Sequence, residues 1–87
     1  MSSDSPIAYP VDFPIKAMGR REPHLVQTIV DIVQRHAPDF DPATVEMRVS
    51  KKNNYLSVTC TIRATSRGQL DALYRELCDH PSVVMVL

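Results

Sequence analysis

Ten consecutive residues in the second half of the chain alternate between apolar and hydrogen-bonding side chains, and this pattern limits the folds that the chain can adopt. In YLSVTCTIRA, residues 55–64, the apolar or small side chains run from Leu56 to Ala64 and the hydrogen-bonding ones from Tyr55 to Arg63. Successive side chains of a strand point to opposite faces. The stretch therefore predicts a strand with one face on a core and the other open to solvent, a partner chain or a nucleic acid.

Two helices are predicted from apolar residues at helical spacing. The first covers residues 24–37, with Pro23 in its first turn beside the charge of Glu22, and both residue types favour a helix start. The second begins near Ser66, where Gln69 three residues later completes a capping box. Each helix has a broad apolar stripe, so both are expected to pack on a sheet.

Three further strands are predicted from shorter alternating stretches, at residues 11–18, 45–49 and 83–87. Gly19 is expected to end the first of them. Pro14 lacks a backbone donor, so the start of that strand is predicted to be unpaired or bulged.

The order strand, helix, strand, strand, helix, strand predicts an α+β fold of the ferredoxin-like βαββαβ type. Two right-handed crossovers joined by a hairpin give a four-stranded antiparallel sheet in the order 4-1-3-2, with both helices on one face. The alternating strand then lies at the centre of the sheet. The residues expected between sheet and helices include Ile29, Val58, Ile62, Leu73 and Leu77.

Length and charge indicate one small domain without a global electrostatic field. We expect residues 1–10 to form a flexible N-terminal tail and residues 11–87 a single domain. Ten Lys and Arg residues balance ten Asp and Glu residues, which makes nucleic acid an unlikely partner and argues against a membrane surface. A local basic patch is still compatible with this balance.

The cysteine and histidine spacing indicates no cofactor and no metal. Cys60 and Cys78 form no C-x-x-C motif, and the three histidines are scattered, so both thiols are interpreted as small hydrophobic groups in a reducing compartment. The chain has no apolar run of transmembrane length and no signal-peptide pattern, from which we expect a cytoplasmic protein.

Several stretches resemble the YbeD-like family of small uncharacterised bacterial proteins. They are FPIKAMG near the start, RHAPDF after the first helix, NYLSVTCTIRAT in the third strand, LYREL in the second helix and the terminal VVMVL. The similarity spans residues 11–87. It implies an ACT-like, ferredoxin-like fold and no established activity, and it supplies no catalytic residues to transfer to this chain.

One end of the predicted sheet collects basic and amide side chains. The end of the first strand, the central hairpin and the loop before the last strand meet there, and the first helix starts there with its partial positive charge. Lysines at a hairpin tip are usually only solvated, and they protect an edge from aggregation. The alternative prediction is an anion site formed by Gly19, Arg20, Arg21, Lys51, Lys52, Asn53, Asn54 and His80.

Three classes of function fit this fold. The first is a non-catalytic regulatory or protein-interaction module that binds a small anionic effector, forms a homodimer through the open sheet face or a strand edge, or binds another protein. The second is RNA binding. The open face lacks the aromatic residues on which RNA bases usually stack, which argues against this class. The third is an acylphosphatase-like hydrolase that would use Arg20 with Asn53 or Asn54. The absence of a glycine-rich cradle in the sequence argues against it. We therefore expect the protein not to be an enzyme.

Overall fold

The computed structural model describes residues 8–50 and 54–87, and within them it confirms the predicted βαββαβ architecture. The sheet order is β2-β3-β1-β4, with every neighbouring pair antiparallel, which is the predicted order read from the other edge. The elements are β1 Val11–Arg20, α1 Leu25–His36, a 3-10 turn Pro42–Thr44, β2 Glu46–Val49, β3 Tyr55–Ala64, α2 Arg67–Asp79 and β4 Val83–Val86.

The alternation in β3 separates the core from the open face as predicted. Its even-numbered residues from Leu56 to Ala64 are buried, while its odd-numbered residues are exposed or half-buried. The core also takes the apolar faces of both helices, and residues of β1 such as Ile15 complete it. The residues predicted to be buried are all at most 1% exposed: Ile29, Val58, Ile62, Leu73 and Leu77.

Pro14 lies in a part of β1 that is regularly paired with β3 and, within the described residues, has no strand on its other side. The start of β1 is therefore unpaired only on the side of β4, and the prediction of an unpaired or bulged start was wrong for the β3 side. β1 pairs with β3 from Val11 onward, and Pro14 is opposite Thr61. Backbone donors alternate between the two sides of a strand, so Pro14 shares the side of Lys16, whose N–H donates to the carbonyl oxygen of Leu87 at 3.3 Å. The described chain after β4 reaches only to Leu87, opposite Lys16. No described strand therefore lies beside Pro14 on that side, and its missing N–H leaves no acceptor there without a hydrogen bond.

The connection from β1 to α1 differs from the prediction by a few residues. β1 continues through Gly19 to Arg20, and α1 begins at Leu25, so Pro23 and Glu22 precede the helix instead of forming its first turn. The carboxylate of Glu22 accepts a hydrogen bond from the hydroxyl of Ser82 at 3.2 Å. Glu22 therefore ties the start of α1 to the loop before β4.

The predicted cap of α2 is present, with one change in its second hydrogen bond. The hydroxyl oxygen of Ser66 accepts from the backbone N–H of Gln69 at 3.1 Å. The side-chain oxygen of Gln69 accepts from the backbone N–H of Thr65 at 2.7 Å, one residue before the expected partner. Its amide nitrogen donates to the carbonyl oxygen of His36 at 2.8 Å, which joins the start of α2 to the end of α1.

A carboxylate on α2 strengthens the same junction between the helices. Glu76 forms an ion pair with Arg35, and its second oxygen lies 2.7 Å from Nε2 of His36. The hydrogen bonds from Arg35 and then from His36 hold the pKa of Glu76 below its ordinary value.

The N-terminal boundary is partly defined by the structure. Tyr9 packs against the core although it precedes β1 and falls within the predicted tail of residues 1–10. The predicted tail at residues 1–7 lies outside the described residues.

Candidate functional site

The last cross-strand pair of the two central strands brings an arginine and a tyrosine together on the open face. Arg20 ends β1 and is opposite Tyr55, the first residue of β3. Beyond this pair, the backbone N–H of Arg21 donates to the carbonyl oxygen of Asn54 at 3.0 Å. The strand register and this hydrogen bond therefore place the four residues at one end of the sheet.

These four residues line one open depression, called here the basic depression. Arg20, Arg21, Asn54 and Tyr55 surround a volume of about 420 Å³. Three of the predicted site residues are thereby brought together, and all four lining residues are exposed at the surface. Two guanidinium groups and a side-chain amide can donate hydrogen bonds, and the oxygens of a carboxylate or phosphate can accept them.

Gly19 lies beside the basic depression but has a packing role. The residue is buried, and a Cβ at this position would lie 2.3 Å from the carbonyl oxygen of Ser82 and 2.8 Å from Cδ1 of Leu25. The pairing of β1 with β4 also changes register between Met18 and Gly19. The missing side chain therefore allows the loop before β4 to approach β1 closely.

His80 belongs to the turn that leads into β4. Its Nδ1 accepts a hydrogen bond from the backbone N–H of Ser82 at 3.1 Å, and its backbone carbonyl accepts from Val83 at 3.0 Å. Because Ser82 also contacts the carboxylate of Glu22, this turn carries a negative neighbour. His80 is half-buried, and the basic depression is lined by other residues.

The remaining predicted site residues are those of the hairpin tip. Lys51, Lys52 and Asn53 lie outside the described residues.

A second depression lies on the other side of Tyr55 and is called here the apolar depression. It has a volume of about 210 Å³ and a mainly apolar surface. Its apolar lining comes from Met18, Val49, Tyr55 and Leu87, and its polar lining from Lys16, Arg48, Ser50 and Ser57. The predicted anion site includes neither Tyr55 nor Met18. The signal that could have found them is the register of the hairpin, because it puts Tyr55 opposite Arg20 and Met18 opposite Ser57.

A third depression continues along the open face and is mainly polar. Its lining includes Lys16, Glu46, Arg48 and Thr59 around a volume of about 540 Å³. The two cations here are accompanied by the carboxylate of Glu46. A single negatively charged ligand is therefore matched better by the basic depression, where no described lining residue carries a carboxylate.

The two cysteines are unpaired thiols in different surroundings. Cys60 is buried in the core, and this burial raises its pKa to about 11. Cys78 is exposed on α2. A buried, protonated thiol is a poor nucleophile, so Cys60 serves in packing.

Two features are absent from the described residues, 8–50 and 54–87. These residues contain no cluster of three or more His, Cys, Asp or Glu side chains able to hold a metal ion. Neither α1 nor α2 has the length and apolar character needed to cross a membrane.

Solved structures with the same fold include one ACT domain. The solution structure of an H. pylori protein superimposes with a TM-score of 0.80, is 14% identical, and covers 99% of this chain and 90% of its own. The ACT domain of the GTP pyrophosphokinase of Chlorobium tepidum gives a TM-score of 0.59 at 18% identity, covering 88% of this chain and 97% of its own. At these identities the likeness shows an ACT-like fold and no more.

Sequence comparison gives the family. The family described as a protein of unknown function, DUF493, matches residues 4–87. The UPF0250 protein of Nitrosomonas europaea is 54% identical over 87 residues, covering 100% of both chains. That of Bordetella pertussis is 57% identical over 84 residues, covering 97% of this chain and 92% of its own. The chain therefore belongs to the DUF493 family of bacterial UPF0250, or YbeD-like, proteins, as its sequence motifs indicated.

Proposed function

We propose that this protein is a non-catalytic regulatory or interaction module that binds a small anionic effector in the basic depression. The observation that carries the proposal is that Arg20, Arg21 and Asn54 line one concave surface of a chain with no net charge. Convergent guanidinium groups bind carboxylate and phosphate through paired N–H donors. The two free thiols are compatible with a cytoplasmic site of action, which we include in the proposal.

The position of the depression supports regulation by such a ligand. Arg21 is held by its backbone to Asn54, and the next residue, Glu22, is held to Ser82 in the loop before β4. An anion bound by the Arg21 side chain would therefore contact the hairpin and act on the segment that fixes the start of α1. Ligand binding is expected to stabilise these connections relative to the free protein.

Titration with inorganic phosphate tests the proposal directly. Backbone amide NMR signals of Arg20, Arg21 and Asn54 should shift in a saturable way at millimolar phosphate, because these residues surround the site. Signals of Arg63, at the opposite end of the open face, should stay in place under the same conditions. Equal shifts at both ends would mean unspecific ionic screening, and no shift at Arg20 or Arg21 would reject the site.

RNA binding is the alternative function, and the open face gives it limited support. Among the described residues of the central strands, Tyr55 is the aromatic side chain on that face, whereas sheet-based RNA readers stack two or three bases. Binding to single-stranded RNA that weakens steeply with salt would favour this alternative. Hydrolysis of an acyl phosphate would favour the acylphosphatase-like alternative, and we expect none.

We also propose self-association along the edge of β4. Val84, Met85 and Leu87 are 57%, 49% and 64% exposed, an unusual concentration of apolar surface for a short edge strand. Sedimentation equilibrium should show a concentration-dependent dimer, and Val84→Lys should shift it toward the monomer. Met47→Lys is the matched control, because Met47 is 58% exposed on the opposite edge strand. A monomer at high protein concentration would contradict this part of the proposal.

A further inference from the structure

Tyr55 is shared by two depressions of different chemistry. On one side it closes the basic depression beside Arg20 and Arg21, and on the other it borders the apolar depression with Met18. The cross-strand pair of Arg20 with Tyr55 fixes this arrangement, since both residues belong to the regular register of the two central strands. A basic depression and a mainly apolar one, whose lining also holds Lys16 and Arg48, therefore lie next to each other and share the side chain of Tyr55.

The basic depression matches a phosphate group better than a single carboxylate. A phosphate monoester carries up to two negative charges and three acceptor oxygens, and Arg20 and Arg21 supply two guanidinium groups of five N–H donors each. Asn54 adds an amide that both donates and accepts. This is more donor capacity and more positive charge than one carboxylate uses.

The apolar depression has room for one ring. Its volume is about 210 Å³. An apolar protein cavity of about 150 Å³ binds benzene, so this volume admits a single six-membered ring. The side chain of Met18 is polarizable and makes favourable contacts with aromatic rings, and Tyr55 offers the edge or face of its own ring.

We propose that the two depressions form one bipartite site for a phosphate ester that carries a planar ring, the chemistry shared by aryl phosphates and nucleoside monophosphates. The phosphate binds Arg20 and Arg21, and the ring lies against Met18 and Tyr55. This inference rests on the proposed anion site and adds the identity of the ligand class.

Three probes separate the two parts of the site in the unmodified protein. Inorganic phosphate reports the charged half, phenol the apolar half, and phenyl phosphate the whole. Phenyl phosphate should bind about tenfold more tightly than inorganic phosphate, the order of effect expected for one stacked ring. Its binding should also shift the amide signal of Met18, which lines only the apolar depression and which inorganic phosphate alone should leave nearly unchanged.

The outcomes distinguish failure of this inference from failure of the anion site. Phosphate and phenyl phosphate binding with equal affinity would overturn the bipartite site and leave the anion site intact. Absence of binding by either anion would overturn both. A single-stranded oligoribonucleotide binding far more tightly than phenyl phosphate would also overturn the inference, because the ligand would then be a polymer backbone.

A matched pair of variants locates the ring. Met18→Thr should reduce the affinity for phenyl phosphate to that for inorganic phosphate, since threonine keeps the strand preference but removes the contact surface. Met47→Thr is the control, because Met47 is 58% exposed on β2 and lies outside the lining of both depressions. Equal losses in the two variants would place the ring elsewhere and contradict the proposal.

Discussion

The carbonyl oxygen of Ser82 lies so close to Gly19 that a Cβ on the glycine would be 2.3 Å from it. A separation this short is far inside van der Waals contact, and the atom that would be met is a backbone oxygen, which cannot move aside as the end of a side chain can. The glycine is therefore required by the close approach of the loop before β4 to β1. Its neighbour Arg20 is positioned by the same stretch of backbone.

Replacing Gly19 by alanine should destabilise the protein through this contact. We expect a loss of about 1–3 kcal/mol in the free energy of unfolding, the usual cost of overpacking a buried position. Gly68→Ala is the matched control, because a Cβ there meets only the hydroxyl of Ser66 at 3.9 Å, and alanine in a helix gains up to about 1 kcal/mol over glycine. Urea unfolding of both variants measures the difference, and a Gly19→Ala variant as stable as the original would show that β4 approaches less closely.

Replacing Leu73 by alanine should test the packing of α2 on the sheet. Leu73 is fully buried, so its truncation should cost about 2–5 kcal/mol, a large share of the stability of a domain this small. Ala72→Gly serves as a comparison on the exposed face of the same helix, where the cost should be about 1 kcal/mol. A change well under 1 kcal/mol for Leu73→Ala would mean that α2 packs through another face.

The junction of the helices should make stability depend on pH in the acidic range. Hydrogen bonds from Arg35 and His36 lower the pKa of Glu76. Its ionised form therefore stabilises the folded protein at pH values above the ordinary pKa of 4.5. That contribution is lost as the pH falls through the lowered pKa of the folded protein. Glu76→Gln should therefore have a lower melting temperature than the original at neutral pH, and the difference should shrink in acid.

The control for this pH effect is a carboxylate on the other side of the molecule. Glu46 is exposed on β2, and Glu46→Gln should leave the melting temperature nearly unchanged at both pH values. A difference for Glu76→Gln that persists undiminished in strong acid would contradict an electrostatic origin.

The two thiols should differ strongly in their reactivity. Cys78 is exposed and should react with a thiol reagent in the native protein, whereas the burial that raises the pKa of Cys60 to about 11 should protect it. Counting modified thiols by mass spectrometry should give one in the folded protein and two after unfolding. Rapid modification of both in the folded state would show that the core opens around β3.

Local sequence was sufficient for the fold but only partly for the candidate site. The alternation from Leu56 to Ala64 identifies β3 and its buried face, because each side-chain position follows from the geometry of one strand. The neighbours of Pro14 depend on where β4 stops, which is a property of two distant segments. The contribution of Tyr55 to the site depends in the same way on the register between β1 and β3.

Gly19 is a second residue whose role could not be predicted from local sequence. A single glycine after a strand is typical of a turn or a ligand-binding loop, and the sequence alone does not distinguish these from a close packing contact. Only the position of Ser82, more than sixty residues later in the chain, reveals the packing contact.

Phosphate binding by variants that replace arginine with neutral glutamine tests most directly the central claim, that Arg20 and Arg21 form an anion site. Affinity for inorganic phosphate should be measured by NMR titration in the original protein, in the double variant Arg20→Gln with Arg21→Gln, and in Arg63→Gln. The last variant removes one positive charge from the opposite end of the same face, beside Asp12. The account predicts that saturable binding is lost in the double variant and retained in Arg63→Gln. Undiminished binding by the double variant would contradict the assignment of the anion site to Arg20 and Arg21.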